Sequence, residues 1–218
     1  MTIKNRKVYG SLSSPATLKV LACLFEHDID FEFVHVDLES GQDKQQPFLA
    51  MNPFGRVPVF DDGDIKRFES RAIIRSVAHE YGKKGEQLVY WEARKQAIVA
   101  NWIDVEDHKF EPPALRLINN PSKGFTSDQS VVAEAELGKV LDVYETRLSK
   151  FKYLASDDYT VADLVHLPNL EALLGNSYTK QHLFESRPHL SAWCFDILAR
   201  PAWTKVLEMQ KKAQPSSA

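Results

Sequence analysis

The sequence predicts a chain in two parts, an α/β domain followed by an all-helical one. Two observations predict it, and the composition is compatible with it. Through residue 82, short alternating apolar runs are interleaved with apolar stripes at helical spacing, the pattern of strands crossed by helices. Beyond residue 90 the alternating runs give way to long stripes of helical period. With 44% hydrophobic and 26% charged residues among 218, the chain can bury a substantial core in one large or two smaller domains.

The elements follow in order. VYG at 8–10 ends a first strand. SPATLKVLACLFEHD at 14–28 sets Leu18, Leu21, Leu24 and Phe25 on one helical face, and FEFVHVDL at 31–38 alternates as a strand. Such a strand, helix and strand with short connections fit a parallel pair crossed by a helix. After the polar GQDKQQ, PFLAMN reads as a short helix, VPVFDD and IKRF as strands joined at a Gly-Asp turn, and ESRAIIRSVAHEYG as an amphipathic helix. The order is βαβ then ββα, which a four-stranded sheet with packed helices satisfies.

The expected division is a first domain at 1–82, a linker at 83–90 and an all-helical domain at 91–218. YWEARKQAIVANWIDVEDHKFEPP, VVAEAELGKVLDVYETRLSKF, TVADLVHLPNLEALLG and LSAWCFDILARPAW each carry an apolar face. FEPP is expected to end or kink its helix, because Pro112 and Pro113 donate no backbone hydrogen bond. NNPSKGFTSDQS reads as a loop and KKAQPSSA as a frayed tail. Thr160 and Asp163 form a T-x-x-D capping box that starts a buried helix.

Several function classes are excluded at this level. The 27 basic and 30 acidic residues give a charge of -3, which offers no general electrostatic reason to bind nucleic acid or an anionic membrane. No apolar stretch approaches the ~20 residues that span a bilayer, and MTIKNRK lacks the apolar segment of a secretory signal, so the cytoplasm is the expected location. Cys23 and Cys194 form no CxxC pair; core thiols are expected, with a distant disulfide left open. The histidines show no ligand spacing, and no metal is expected.

The stretch NPFGRVPVFDDGDIKRFESR at 52–71 concentrates unusual chemistry, yet each residue has an ordinary reading as well. Val57-Pro58 is a trans turn or a cis bond. Glu69 and Ser70 cap a helix or meet a charged ligand. Ser13 and Ser14 precede another helix and suit its cap. Lys44 is a surface lysine or an anion contact.

In their order, VYGSLSSPATLKVL, LESGQDKQQPFLAMNPFGRVPVFDDGDIKRFESRAI, NWIDVEDHKFEPPA, VLDVYETRLSKFKYLASDDYTVADLVHLPNL and SRPHLSAWCFDILARPAW resemble the cytosolic glutathione transferases, specifically the plant phi class, over almost the whole chain. The resemblance implies the cytosolic glutathione-transferase fold: an α/β thioredoxin-like N-terminal domain that binds glutathione, plus an all-α C-terminal domain, with a small hydrophobic electrophile bound between them. It also implies a homodimer, glutathione as co-substrate and no metal.

Residue by residue, the resemblance implies that Pro58 is cis and that Val57 pairs its backbone with the cysteinyl part of glutathione, as a strand pairs with a sheet edge. Glu69 would accept from the γ-glutamyl ammonium, and Ser70 at a helix start would hold the neighbouring carboxylate. Lys44 falls in the family's HK-like position for the glycyl carboxylate, but Asp43 stands where many relatives have histidine. Arg56 departs from the common NPFGQVP, exchanging glutamine's donor and acceptor for a charged fork that only donates.

The chemical residue falls in GSLSSPAT. Alignment with the phi pattern makes Ser14 the catalytic hydroxyl that donates to the glutathione sulfur, with Ser13 the alternative and Pro15 a departure suited to a first helical turn. Leu12 is an apolar loop anchor or a wall of the electrophile pocket. His108 and Phe110 lie in the cleft-lining segment and are candidate substrate contacts, His108 equally a structural histidine. The route from there to TSDQSVVAEAE is shorter than in many relatives, which would reshape the pocket.

Glutathione addition or displacement at an electrophilic carbon is thus the leading function, with peroxide reduction as a side activity. Thiol-disulfide exchange would require a cysteine near residues 13 and 14, where none stands. The non-enzymatic alternative is a glutathione or hydrophobic-ligand carrier, favoured by the departures at Asp43, Pro15 and Arg56.

Overall fold

The computed structural model describes residues 6–82, 88–119 and 128–213. Residues 83–87 of the expected linker, most of the NNPSKGFTSDQS loop and the tail beyond Ala213 lie outside the described residues. The chain divides into two compact units. One comprises the chain up to Glu86 together with the chain from Pro201 onward, and the other runs from Gln87 to Arg200.

In the first unit, β1 (Lys7–Gly10) pairs in parallel with β2 (Glu32–His35) across α1 (Pro15–Glu26). Strand β3 (Val59–Asp61) runs antiparallel to β1, and β4 (Lys66–Phe68) antiparallel to β3, giving the order β2-β1-β3-β4. A 3-10 turn at Gln42–Lys44 and the short α2 (Phe48–Met51) precede β3, and α3 (Ser70–Tyr81) follows β4.

Alternation along the strands divides the apolar side chains between the sheet's faces. Val8 opposes Phe60, both fully buried, while Val59 joins Val36 and Phe48 in a separate cluster with Tyr9, Leu38 and Val57. Helices α1 and α3 pack together through stripes that bury Leu18, Leu21 and Leu24 on one and Ile73, Ile74 and Val77 on the other. Cys23 sits in this packing, and burial pushes its thiol, like that of Cys194, above the ordinary thiol range.

Strand β2 is shorter than its alternation predicts. Val36 still donates to the Gly10 carbonyl at 2.8 Å, but the Asp37 carboxylate then accepts from the amides of Glu39 and Ser40 at 3.0 and 3.3 Å and turns the chain away.

The second unit contains α4 (Ala93–Val105), α5 (Glu111–Ile118), α6 (Asp128–Leu148), α7 (Val161–Leu164), α8 (Leu167–Gly175), α9 (Ser177–Thr179) and α10 (Pro188–Leu198). FEPP does not break its helix. A π turn at Glu106–Phe110 lets the Glu111 amide bond to the Glu106 carbonyl, five residues back, and the prolines then occupy the first turn of α5, where a missing N-H costs least.

The capping box at α7 is formed. Thr160 Oγ1 accepts from the Ala162 amide at 3.2 Å and Asp163 Oδ2 from the Thr160 amide at 3.0 Å. Asp163 is fully buried, and its Oδ1 also accepts from the Leu154 amide and the Trp193 indole, both at 3.0 Å. Burial raises its carboxyl to about 6 against the opposing pull of these donors. Beside it, Tyr144 stacks on Phe110 and meets Trp102, His166 and Trp193 edge-on.

The last helix, α11 (Pro201–Ala213), belongs to the first unit although the sequence division groups it with the helical domain. It packs on α1 and buries Ala202, Trp203 and Val206. Lys205 approaches Asp28 at 3.5 Å and lies over the Phe25 ring at the far end of α1.

Candidate functional site

The sheet register brings the candidate residues of the first unit to one end. Gly10 opposes His35, Tyr9 opposes Val59, and Val59 opposes Phe68. The residues just beyond these positions, namely 11–14 after β1, Val57-Pro58 before β3 and Glu69-Ser70 after β4, therefore emerge at the same end. Helices α1 and α3 both begin there, so the positive ends of their dipoles share it, an arrangement that favours anions.

The segment after β1 is a tight turn. The Ser14 amide donates to the Ser11 carbonyl at 3.0 Å, leaving Leu12 and Ser13 as its central residues. Ser14 is the N-cap of α1, with Pro15 in the first turn. Its Oγ accepts from the Thr17 amide at 3.4 Å and its carbonyl from the Leu18 amide at 3.1 Å. A hydroxyl that caps as an acceptor retains its proton for donation. Ser13 is exposed, with its Oγ 2.9 Å from Ser11 Oγ, whereas Ser14 is half-buried. Gly10 is required by the close packing of α1 on β1, since a Cβ there would fall 2.5 Å from Thr17 Cγ2.

The NPFGRVP loop is held by Asn52, which is almost fully buried. Its Nδ2 donates to the Arg56 carbonyl at 2.7 Å and its Oδ1 accepts from the Phe54 amide at 3.1 Å. Gly55 has φ 59, and a Cβ there would lie 2.8 Å from the Asp43 carbonyl oxygen. Two of the three departures from the family pattern, Asp43 and Arg56, thus meet around Gly55. Lys44 Nζ donates to Asp43 Oδ2 at 2.9 Å and also to the Gly55 carbonyl. The Arg56 side chain is exposed, and Val57-Pro58 is cis.

Glu69 is exposed at φ 67 and ψ 109, a conformation that L-residues rarely adopt. Its side chain makes no capping bond to α3, while its carbonyl accepts from the Ile73 amide at 2.9 Å. Ser70, the first helical residue, is buried. Simple side-chain capping by Glu69 therefore does not explain its conformation.

Around the turn after β1 lies a cavity of about 420 Å³ lined by Ser11, Leu12, Ser13, His35, Leu38 and Gln210, among others. Leu12 lies in this lining and also sits at the centre of the turn. His35 and Gln210 were not singled out from the sequence. The parallel pairing that sets His35 beside Gly10 was a usable signal for the first, whereas nothing local marks Gln210, which arrives on α11 from the other end of the chain.

In the second unit the two candidates differ. His108 is exposed, its Nδ1 2.9 Å from the Asp104 carbonyl. Phe110 is a correction: it is fully buried, stacked on Tyr144 and edge-on to His166, and so offers no exposed surface to a substrate. The same helical pattern describes cleft-facing and core-facing aromatics, and the π turn decides which this one is. Among the described residues, no group of three or more His, Cys, Asp or Glu is arranged to hold a metal, and no helix is long and apolar enough to cross a membrane.

Comparison with known proteins gives a consistent picture. The glutathione S-transferase N-terminal domain matches residues 5–79, and the C-terminal domain of the same family matches residues 112–201. The chain is 50% identical over 212 residues to glutathione S-transferase PARB of Nicotiana tabacum, a match covering 94% of this chain and 99% of that protein. It is 49% identical over 207 residues to glutathione S-transferase F7 of Arabidopsis thaliana, covering 92% and 98%. The crystal structure of glutathione transferase F2 from Populus trichocarpa superposes with a TM-score of 0.87 at 37% identity, covering 95% of this chain and all of that one, 100%.

Proposed function

The chain belongs to the plant phi class of the cytosolic glutathione transferases, and from that premise we propose how its first unit holds glutathione and activates the thiol. The enzyme transfers glutathione, its co-substrate, to electrophiles. The backbone of Val57 pairs with the cysteinyl portion. Glu69 accepts from the γ-glutamyl ammonium, and Ser70 meets the adjoining carboxylate at the positive end of α3. Arg56 and Lys44 take the glycyl carboxylate.

Ser14 donates its hydroxyl proton to the sulfur and thereby favours the thiolate. An ordinary thiol has a pKa of about 8.5, so an enzyme working near neutrality gains attacking species by lowering it, at about 1.36 kcal/mol per unit. The serine is neither nucleophile nor base in this scheme. The observation that carries the reading is the register that puts Ser14, an N-cap with its proton still to donate, at the same sheet end as Val57 and Glu69. The departures that favoured a carrier are compatible with catalysis, since Pro15 sits in the first turn of α1 and Asp43 is paired with Lys44.

The acceptor then meets Leu12, His35 and Leu38 of the first unit, a mixed rather than purely apolar lining. Peroxide reduction is proposed as a side activity, and a homodimer as the assembled form, for which Ile98 on α4 and Val131 and Val132 on α6 supply exposed apolar surface. Conjugation rates of S14A and S13A test the central assignment. S14A should lose turnover while binding glutathione, and wild-type turnover in a folded S14A would remove the serine from the mechanism.

A further inference from the structure

We propose that Gln210, on the last helix, is a positioning residue for thiol activation, fixing the peptide that delivers Ser13 and Ser14 to the start of α1. The inference rests on the reading of Ser14 as the donor to sulfur.

The turn closed by the Ser14 amide on the Ser11 carbonyl has one central peptide, the Leu12 carbonyl with the Ser13 amide. The two commonest turn types differ chiefly by a flip of that peptide, so its orientation sets where the following hydroxyls point. Here the peptide is held from both sides. Gln210 Nε2 donates to the Leu12 carbonyl at 2.7 Å, and the Ser13 amide reaches Ser11 Oγ at 3.4 Å. The second bond is long and Ser11 Oγ also engages Ser13 Oγ, so the short bond from Gln210 is the firmer restraint.

Helix α11 is itself anchored along α1. Ala202, Trp203 and Val206 are buried, and Lys205 contacts Asp28 and Phe25 at the far end of α1. Gln210 therefore speaks from a fixed platform. A side chain remote in sequence controls which of two adjacent serines is presented, and it does so without touching the reacting sulfur. Gln210 also lines the cavity beside Leu12 and Ser13, so its loss would be felt on the acceptor side of the turn as well.

The test compares the full-length wild type with Q210M, which keeps the length and removes the donor, and with Q210E, which sets an acceptor against the Leu12 carbonyl. K205M, which loosens the same helix at the other end of α1, serves as control, and S14A is run in parallel. The readouts are the pH titration of bound thiolate absorbance, kcat, KM for glutathione and the melting temperature. Q210M and Q210E should raise the bound thiol's pKa by about half a unit to one unit and lower kcat about three- to tenfold, with KM for glutathione changed less than about twofold. K205M should change melting alone. If both Gln210 variants fold and keep wild-type thiol pKa and kcat while S14A loses them, the positioning role is overturned. If S14A keeps them too, the serine reading itself has failed.

Discussion

Lys44 binds the carboxylate of its neighbour Asp43, Nζ to Oδ2 at 2.9 Å, and spends a second donor on the Gly55 carbonyl. The Asp43 side chain is only 11% exposed, so its charge is compensated chiefly by this ammonium, which is then less available to a ligand. Arg56 follows Gly55 directly and is exposed. R56A is accordingly expected to weaken glutathione binding about three- to tenfold, with a larger loss at low salt. D43N, which frees Lys44 and removes a like charge, should tighten it modestly. Titration calorimetry at two ionic strengths reads both, and unchanged affinity in R56A would hand the glycyl end back to Lys44.

The Glu69 backbone predicts an unusual separation of stability from function. At φ 67 an L-residue costs on the order of 1–3 kcal/mol, which glycine largely avoids. E69G should therefore melt at or above the wild-type temperature, while its glutathione Kd rises about tenfold or more for want of the carboxylate. A variant that is destabilised yet binds normally would show that the conformation serves the fold instead.

Thr160 and Asp163 govern stability. T160A should destabilise the enzyme by about 1 kcal/mol or more, through the lost cap and one donor fewer on a buried carboxylate, and leave thiol chemistry intact. Asp163 adds a pH signature. Its folded-state value of about 6 exceeds the ordinary 3.8, so the folded state holds the proton more tightly than the unfolded chain does. Its contribution is fully present below about pH 4, falls as pH rises toward 6 and is level above, a change on the order of 2–3 kcal/mol. Denaturant unfolding of wild type and D163N across this range should differ by that slope, and parallel profiles would contradict it.

The strand and helix order was legible because periodicity reports which face is buried, and the cap of α1 was legible because Ser14-Pro15 is a local signal. Partners in space were not. The stripe of α11 says that Trp203 and Val206 are buried but not that α1 covers them, and the Gln210 to Leu12 bond joins residues far apart in sequence. FEPP was read as ending or kinking its helix because proline chemistry is local, whereas the π turn that carries the helix through it depends on where Glu106 and Phe110 pack. Phe110 was misassigned for the same reason. The Asp37 turn that cuts β2 short had its signal in DLES, outweighed by the alternation before it.

The most direct measurement is a pH titration of the thiolate absorbance of bound glutathione in wild type, S13A and S14A, each shown to be folded and saturated. Serine-assisted activation gives a depressed thiol pKa in wild type, a value near wild type in S13A and a rise of about 1–2 units in S14A, matching the loss of one hydrogen bond to a charged sulfur at about 1.5–3 kcal/mol. Conjugation should fall in step, roughly ten- to over a hundredfold in S14A. A rise confined to S13A would move the role by one residue, and an unshifted thiol in both variants would contradict serine-assisted activation.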